Sequence, residues 1–242
     1  NYHPDQHLSW HTKKFLEHCE MPPEIKANPM DPPKMTTEDH VRGWKRTKEH
    51  TASAPQTPDF SHWISSAFDD HLAELDKTLR EVPLVHGFAP DEWNPMAACA
   101  IPKKENVLRA EKSRTILLMD ALWNSNNKWY GREFMKHNEA AGTIPEEQGG
   151  SRKFRRAAEV ALKKVLSMDL LRQFKRAGFL CSNDAIQCYD RIIHCVAMLA
   201  MLRMGADKNA MTSLFGQLQQ ADHYVMTGYG LSEFSYGGKN AQ

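Results

Sequence analysis

The chain has 242 residues, of which 41% are hydrophobic, so it can bury the core of one large domain or of two small ones. No apolar run approaches the length of about 18 residues that marks a membrane-spanning helix, so we expect no membrane partner. The five cysteines are an odd number without a CxxC spacing, which argues against a disulfide scaffold and predicts a reducing, intracellular location. Because the chain begins at Asn1 without a methionine, we expect it to be part of a longer protein.

The net charge is +1, but the charges are unevenly distributed along the chain. Residues 101–180 hold 17 Lys and Arg against 9 Asp and Glu, whereas the remaining residues hold 14 against 21. The densest part is residues 152–176, where nine cations accompany two acids. Such a patch on a nearly neutral chain is typical of a protein that binds a polyanion, and a solvated helix face is the alternative.

Residues 1–60 carry eight of the thirteen prolines. This density interrupts helices and central strands, so we predict a loosely ordered arm with one short helix near 9–19. A helical lead-in follows over 61–98. Its first helix is predicted from apolar residues that recur at steps of three and four, namely Ile64, Phe68, Leu72, Leu75, Leu79 and Val82. We expect Ser61 to cap this helix and Pro83 to end it.

A basic region extends over residues 99–178. Within it, residues 114–119 predict a buried strand and residues 121–138 predict a helix. The Gly-Gly-Ser sequence at 149–151 interrupts the chain and is predicted to cap a second helix, which carries the basic cluster.

The last region is residues 179–242. We predict four elements in it: a strand over 179–185, helices over 192–204 and 207–221, and a strand over 223–229. The two strands are expected to pair with each other, which would leave Asp184 at a sheet edge beside Tyr189. Helices together with such a sheet predict an α+β fold class.

The stretch from Asp184 to Ile192 is the strongest candidate for chemistry. A carboxylate at the end of a strand, followed by a turn, can hold a metal ion, and the turn offers the carbonyl of Ala185 as a second oxygen ligand. Phosphoryl transfer through two metal ions needs two such carboxylates. The alternative interpretation is that Asp184 and Asp190 only cap a strand–helix junction.

Five stretches together resemble one known family. The stretch that starts at Asp184 resembles motif A of reverse transcriptases, where an aspartate is followed five positions later by an aromatic residue, here Tyr189. The upstream matches are Gly87–Trp93 with a Pro-x-x-Trp element, Ala100–Lys104 with Ile-Pro-Lys-Lys, Arg114–Leu118 with Arg-Pro-Ile-Ser-Leu, and Glu147–Arg152 with Gln-x-Gly-Phe-Arg. In this order they are similar to the enzymes of retroelements without long terminal repeats and of group II introns.

The resemblance implies part of a right-hand polymerase. Helical fingers would correspond to the basic region, and the start of a palm-type antiparallel sheet would correspond to residues 179–242. The reaction of the parent protein would be template-directed DNA synthesis from dNTPs on an RNA template with a DNA primer, through Mg²⁺ ions.

The resemblance also implies roles in metal and nucleotide binding. Asp184 and the carbonyl of Ala185 would hold Mg²⁺, and the ring of Tyr189 would lie below the nucleotide sugar. The triphosphate would be contacted by Lys103 or its neighbour Lys104, and by Arg114. The template phosphates would be bound by four cations, namely Arg152, Lys153, Arg155 and Arg156.

The chain departs from the family after motif A. No adjacent Asp-Asp pair follows Asp184, so the second essential carboxylate is missing from the sequence, and we expect the isolated chain to be inactive. Two alternatives therefore stay open. One is a non-catalytic nucleic-acid-binding remnant of a retroelement, and the other is a helical interaction module.

Overall fold

The structure, a computed structural model, describes residues 8–55, 57–106, 109, 112–179, 181, 183 and 191–237. The chain forms two compact units, one made of Asn1–Glu133 with Ile193–Gln242 and the other of Phe134–Ile192. The division into four regions that the sequence suggests stays a prediction. In the described part of the chain, no helix is both long and apolar enough to cross a membrane.

The proline-rich N-terminal segment is folded. It contains three helices: α1 (Trp10–Cys19), α2 (Pro23–Lys26) and α3 (Thr37–Lys45). The first confirms the helix predicted near 9–19, and α3 buries His40 and Trp44. The prediction of a loosely ordered arm is therefore wrong for the described part of residues 1–60. Its described prolines lie outside the helices or, like Pro23, in a first helical turn, where a missing N–H breaks no hydrogen bond.

The single helix predicted after residue 61 is divided in two. α4 (Phe60–Ser66) ends before Asp69, and α5 (Asp70–His86) begins after it. Division occurs there because the Asp69 carboxylate accepts the N–H groups of His71 and Leu72 at 3.0 and 2.9 Å, which caps a new helix. Pro83 lies inside α5 and does not end it, so that prediction is wrong. The end is set by Gly87, whose φ of 71° is the left-handed conformation that favours glycine.

The two faces of α5 are the reverse of an ordinary amphipathic helix. The buried residues are Ala73, Asp76, Arg80, Pro83 and Leu84. Of the apolar residues whose spacing predicted the helix, the four in α5 point to solvent instead, and Leu75 is 55% exposed. Periodicity thus identified the helix, but the side of the helix that enters the core carries an arginine and an aspartate.

Arg80 is a buried cation that joins α5 to two other helices. Its Nε donates to Oδ1 of Asn126 at 3.0 Å, and its Nη1 lies 3.1 Å from Nδ1 of His40. Its guanidinium also lies over the ring of Trp44, 5.6 Å from the ring centroid. Burial lowers the pKa of Arg80 to about 9, and burial together with the Arg80 charge lowers the pKa of His40 to about 4. His40 is therefore neutral at pH 7, and its Nδ1 can accept a hydrogen bond from Arg80.

One mixed sheet lies in the first unit. Its strands are β1 (Pro95–Pro102), β2 (Ser113–Leu118), β3 (Asp222–Thr227), β4 (Gly230–Leu231) and β5 (Tyr236–Gly237). β1 lies between β2, to which it is antiparallel, and β3, to which it is parallel. The chain is thus α+β, as predicted, but the sheet is mixed and not the purely antiparallel one that was expected. β2 is a strand as predicted, although it is an exposed edge and not a buried strand.

The strand predicted over 179–185 is not found beside β3. Residues 179, 181 and 183 belong to no strand, and the rest of that segment lies outside the described residues. β3 pairs with β1 on one side and with β4 and β5 on the other. The predicted pairing is wrong because β1 takes the position next to β3. The alanine-rich sequence of β1 has low strand propensity and gave no signal of a strand.

Three further helices confirm the sequence-based predictions: α6 (Ala121–Ala140), α8 (His194–Arg203) and α9 (Lys208–Gln220). α8 is followed by Gly205 with a φ of 87°, and α9 is capped by Asp207, whose carboxylate accepts the N–H of Ala210 at 2.8 Å. The backbone N–H of Asp207 in turn donates to the hydroxyl of Tyr130 at 2.9 Å. The largest buried apolar residues of the first unit include Trp44, Phe60, Leu84, Met96, Tyr130 and Met211.

The second unit contains the end of α6 and the whole of α7 (Ala157–Gln173). A helix runs through the basic cluster as predicted, but α7 begins six residues after Ser151, with Arg156 at the N-cap, and holds only Lys163, Lys164 and Arg172 of the nine cations. Left-handed backbone at Ser151 and Phe154, with φ of 59° and 63°, turns the chain before the helix starts. None of the described residues of α7 is buried.

Candidate functional site

The β1–β2 hairpin brings two of the sequence motifs together. Ile101 lies opposite Arg114 in the antiparallel register, and the N–H of Lys103 donates to the carbonyl of Lys112 at 3.0 Å. The Ile-Pro-Lys-Lys stretch and the segment that begins at Arg114 therefore form neighbouring strands. This hairpin is the part of the structure in which the predicted nucleotide-binding residues Lys103 and Arg114 are close in space.

The cations gather at the end of the hairpin. Arg114 lies on the same face of the paired strands as Ile101, and Lys103 and Lys112 lie just beyond the strand ends, joined by their backbone hydrogen bond. All three cations are exposed, and so is Lys104. Sequence analysis missed Lys112, although its position two residues before Arg114 is the signal that could have identified it.

The hairpin and its connecting loop are rich in cations. Residues 101–114 hold five Lys and Arg against two Glu. Among the residues that the structure describes, Lys103, Lys104, Lys112 and Arg114 take part in no ion pair. Solvent-exposed lysines supply point charges, and an arginine supplies a planar set of N–H donors that fits two phosphate oxygens. This end of the hairpin can therefore bind a polyphosphate or a phosphate backbone.

The residues expected to hold Mg²⁺ and the nucleotide sugar, Asp184, Ala185 and Tyr189, lie outside the described residues. Elsewhere in the described part of the chain, no cluster of three or more His, Cys, Asp or Glu side chains could hold a metal ion. The magnesium site thus stays a prediction from the resemblance.

Arg152, the first of the predicted template-binding cations, forms its hydrogen bonds and ion pair within the second unit. Its guanidinium forms a two-pronged contact with Glu139, with both N–O distances 2.7 Å, and its Nη1 donates to the carbonyl of Pro145 at 2.9 Å. Only 5% of its side chain is exposed. Hydrogen bonding by Arg152 holds the pKa of Glu139 below its ordinary value. These contacts close the loop between α6 and α7.

The other three cations differ in how far they are engaged. Arg155 forms an ion pair with Glu146, with an N–O distance of 2.5 Å, and 32% of its side chain is exposed. Lys153 lies over the ring of Phe154, 5.0 Å from the centroid, and Arg156 is an exposed N-cap. Lys153 and Arg156 are thus the members of the set without a carboxylate partner among the described residues.

Gly149, in the loop before α7, lies close to a side chain of that helix. A Cβ atom at this position would lie 2.3 Å from Cγ2 of Val160 in α7, which is closer than real side chains approach. A larger residue at this position would force the Val160 side chain to shift, so glycine fits where the loop passes over the helix. The glycine of the Glu147–Arg152 motif thus has a packing role within the second unit.

No protein-family model matches the chain, and no curated protein matches it either. The functional interpretation therefore depends on the residues and their arrangement. The strongest arrangement is the exposed cationic end of the β1–β2 hairpin.

Proposed function

We propose that the chain is part of a reverse transcriptase-like protein, comprising the fingers and the first segment of the palm. In the parent protein the reaction is template-directed DNA synthesis from dNTPs on RNA. The observation that supports this proposal is the β1–β2 hairpin, whose register puts the Ile-Pro-Lys-Lys stretch beside the segment of Arg114. Two short motifs that are weak in isolation thereby contribute cations to one end of the hairpin.

In this proposal each cation has a stated task. Arg114 binds two oxygens of the triphosphate with its planar guanidinium, and Lys103 adds a point charge. Lys112 and Lys104 increase the positive potential around them. Mg²⁺ is held by Asp184 and the carbonyl of Ala185, and Tyr189 supports the sugar. Lys153 and Arg156 bind template phosphates without reading the sequence of the template.

Binding of a fluorescent dNTP analogue with Mg²⁺ to the full 242-residue chain tests the proposal. Arg114→Ala and Lys103→Ala should each raise the dissociation constant roughly tenfold, because each removes a charged contact to phosphate. Arg114→Lys should restore only part of the affinity, since the two-pronged geometry is lost. The control is Lys26→Ala, which removes an exposed cation of α2. Equal affinities for the wild type, Arg114→Ala and Lys103→Ala would contradict the proposed role of the hairpin.

Polymerisation is a separate outcome. With no Asp-Asp pair after Asp184, the chain holds only part of a two-metal cage, so we expect nucleic-acid binding without primer extension. Primer extension that is abolished by Asp184→Ala would show that the second carboxylate comes from another position.

A helical interaction module is the second candidate function, and one observation favours it. The apolar residues of α5 are exposed in a continuous row, which is unusual for the surface of a protein that works as a monomer. A chain that binds no triphosphate, but that associates through α5, would support this candidate over the polymerase fragment.

A further inference from the structure

A groove in the first unit is lined by aromatic and acidic side chains that the proposed function does not use. Its volume is about 520 Å³. Its walls come from α4, α5, the short helical turn Asp91–Trp93 and the start of α6. We call it the aromatic groove, after Trp63, Phe88 and Trp93 in its lining. Small-molecule sites have volumes of about 300–1,000 Å³, so the size of the groove fits a small organic ligand.

The three aromatic rings of the groove differ in how firmly the core holds them. The ring of Trp63 is stacked on that of Trp44, with a centroid distance of 6.5 Å and 20° between the planes, and Trp44 is completely buried. Trp93 is only 6% exposed, whereas Phe88 is 44% exposed. The faces of such rings are electronegative and attract a cation within about 6 Å of the ring centre. The groove therefore offers two fixed indole rings and one accessible phenyl ring to a cation.

Two carboxylates give the groove a negative charge. Asp120 is 3% exposed, and its Oδ1 accepts the N–H of Trp123 at 3.0 Å, which fixes the carboxylate at the start of α6. Glu92 is exposed in the wall of the groove. The described lining residues include no Lys, Arg or His, and neither acid forms an ion pair with another described residue. Burial raises the pKa of Asp120, so a cation bound beside it would stabilise its charged form.

We propose that the aromatic groove binds a small organic cation that carries a methylated ammonium group. The rings and the aliphatic wall contact the methyl groups, and Asp120 and Glu92 supply the opposite charge. The inference goes beyond the proposed function and does not rest on it, because the hairpin cations take no part in the groove.

The lining favours this class of ligand over two simpler ones. A neutral apolar molecule would gain nothing from the two carboxylates and would leave Asp120 without a counter-ion. An unmethylated ammonium is strongly hydrated, and it would lose much of its water against Trp63, Trp93 and Leu122. Methyl groups lessen that loss and add apolar contacts, while the charge keeps its attraction to the rings.

Titration calorimetry of the full chain with choline tests the charge requirement. Choline should bind roughly tenfold more tightly than its uncharged isostere, in which a tert-butyl group replaces the trimethylammonium group. Ethanolamine keeps the charge but has no methyl groups, and it should also bind roughly tenfold more weakly than choline. No measurable binding of choline, or equal affinities for choline and the isostere, would overturn the proposal.

Single substitutions test the groove itself. Phe88→Leu removes a ring but keeps an apolar side chain, and it should weaken choline binding roughly fivefold. Asp120→Asn keeps an oxygen that can accept the N–H of Trp123 but removes the charge, and it should weaken binding roughly tenfold. Phe234→Leu, at a phenylalanine that is 78% exposed and outside the groove, is the matched control and should bind as the wild type does.

Thermal unfolding of each variant shows whether a loss of binding reflects a loss of folding. If Asp120→Asn does not fold, Glu92→Gln at the exposed acid tests the charge, with Glu24→Gln in α2 as its control. Unchanged affinity in both Phe88→Leu and the folded acid variant would place choline elsewhere and overturn the proposal.

NMR spectra of the indole N–H groups locate the ligand. Choline should shift the signals of Trp63 and Trp93, whereas Trp10, which is 67% exposed in α1, should not respond. Shifts confined to other tryptophans would contradict the site. A peptide with trimethyllysine is the last arm of the test. If the peptide binds far more tightly than choline, a protein segment is the occupant and the small-molecule assignment is overturned.

Discussion

The cations of the β1–β2 hairpin and those of residues 152–156 carry the same charge in different surroundings. On the hairpin, Lys103, Lys112 and Arg114 point to solvent and have no ion pair among the described residues. In the second unit, Arg152 is enclosed by Glu139 and by backbone carbonyls. The comparison teaches that a run of basic residues contains both structural cations and cations available to a ligand. The two kinds of cation are distinguished by the residues that surround each of them in the folded chain.

Arg80 is the clearest example of a cation that points into the protein interior. It lies outside every basic stretch of the sequence, yet it is the most completely buried cation, with 2% of its surface exposed. Its partners are Asn126 and His40 from two other helices. A buried guanidinium with these contacts stabilises one arrangement of α3, α5 and α6, and removal of its charge leaves their polar atoms without partners.

The largest expected effect in this comparison follows from replacement of Arg80. Arg80→Ala should lower the free energy of unfolding by about 3–5 kcal/mol, because it leaves buried polar groups unpaired and opens a cavity. Arg42→Ala, at an exposed arginine that pairs with Glu38, should change it by no more than about 0.5 kcal/mol. Urea denaturation measures both. Equal effects of the two substitutions would contradict the distinction between inward-facing and outward-facing cations.

The pH dependence of stability tests the buried surroundings of Arg80, because its neighbour His40 can gain a proton. Its pKa in the folded protein is about 4 instead of 6.5, because burial and the nearby Arg80 oppose a second positive charge. Between these values the unfolded chain binds a proton that the folded chain does not, so stability should fall as pH decreases from 6.5 to 4. The contribution of this residue should reach about 3 kcal/mol.

The measurement is the free energy of unfolding against pH for the wild type and for His40→Asn. The asparagine keeps an oxygen that can accept from Arg80 but has no proton to gain. His40→Asn should therefore show a shallower loss of stability in this pH range. If the two pH profiles are parallel, His40 does not titrate in the way its surroundings imply.

The smallest expected effect concerns nucleic-acid binding by residues 152–156. Lys153→Ala with Arg156→Ala should reduce the slope of log affinity against log salt by about 1–2, because two phosphate contacts disappear. Arg152→Ala with Glu139→Ala leaves the net charge unchanged and should leave the slope unchanged. Anisotropy of a labelled RNA over a salt series gives both values. If only the variant with Arg152→Ala and Glu139→Ala has a smaller salt slope, Arg152 must leave Glu139 to bind phosphate.

Local signals in the sequence predicted the helices well. Asp207 before α9 and Gly205 after α8 act through hydrogen bonds and dihedral angles within a few residues, so their effects can be predicted from the sequence. The caps of α5 were predicted wrongly: Ser61 and Pro83 were expected to bound one helix, whereas Asp69 and Gly87 bound α5. Of the candidate site, the sequence identified Lys103 and Arg114 but missed Lys112.

Strand neighbours could not be predicted in this way. β1 has an alanine-rich sequence with little strand propensity, and it becomes a strand because β2 and β3 supply hydrogen bonds on both sides. β3 is distant in sequence, so no local pattern shows it as a partner of β1. The error with residues 179–185 followed from this omission, since β3 was paired with the nearest predicted strand.

The sequence by itself determined that these helices form and, at Gly205 and Asp207, where α8 ends and α9 begins, because caps, glycine turns and apolar periodicity act over one or two helical turns. Only the tertiary structure decided which face of α5 is buried and which cations are engaged. Burial and ion pairing depend on residues that are far away in sequence. Arg80 forms hydrogen bonds with His40 and Asn126 in the interior, whereas Leu75 is exposed at the surface. The helix is encoded locally, but the role of each face depends on what packs against it.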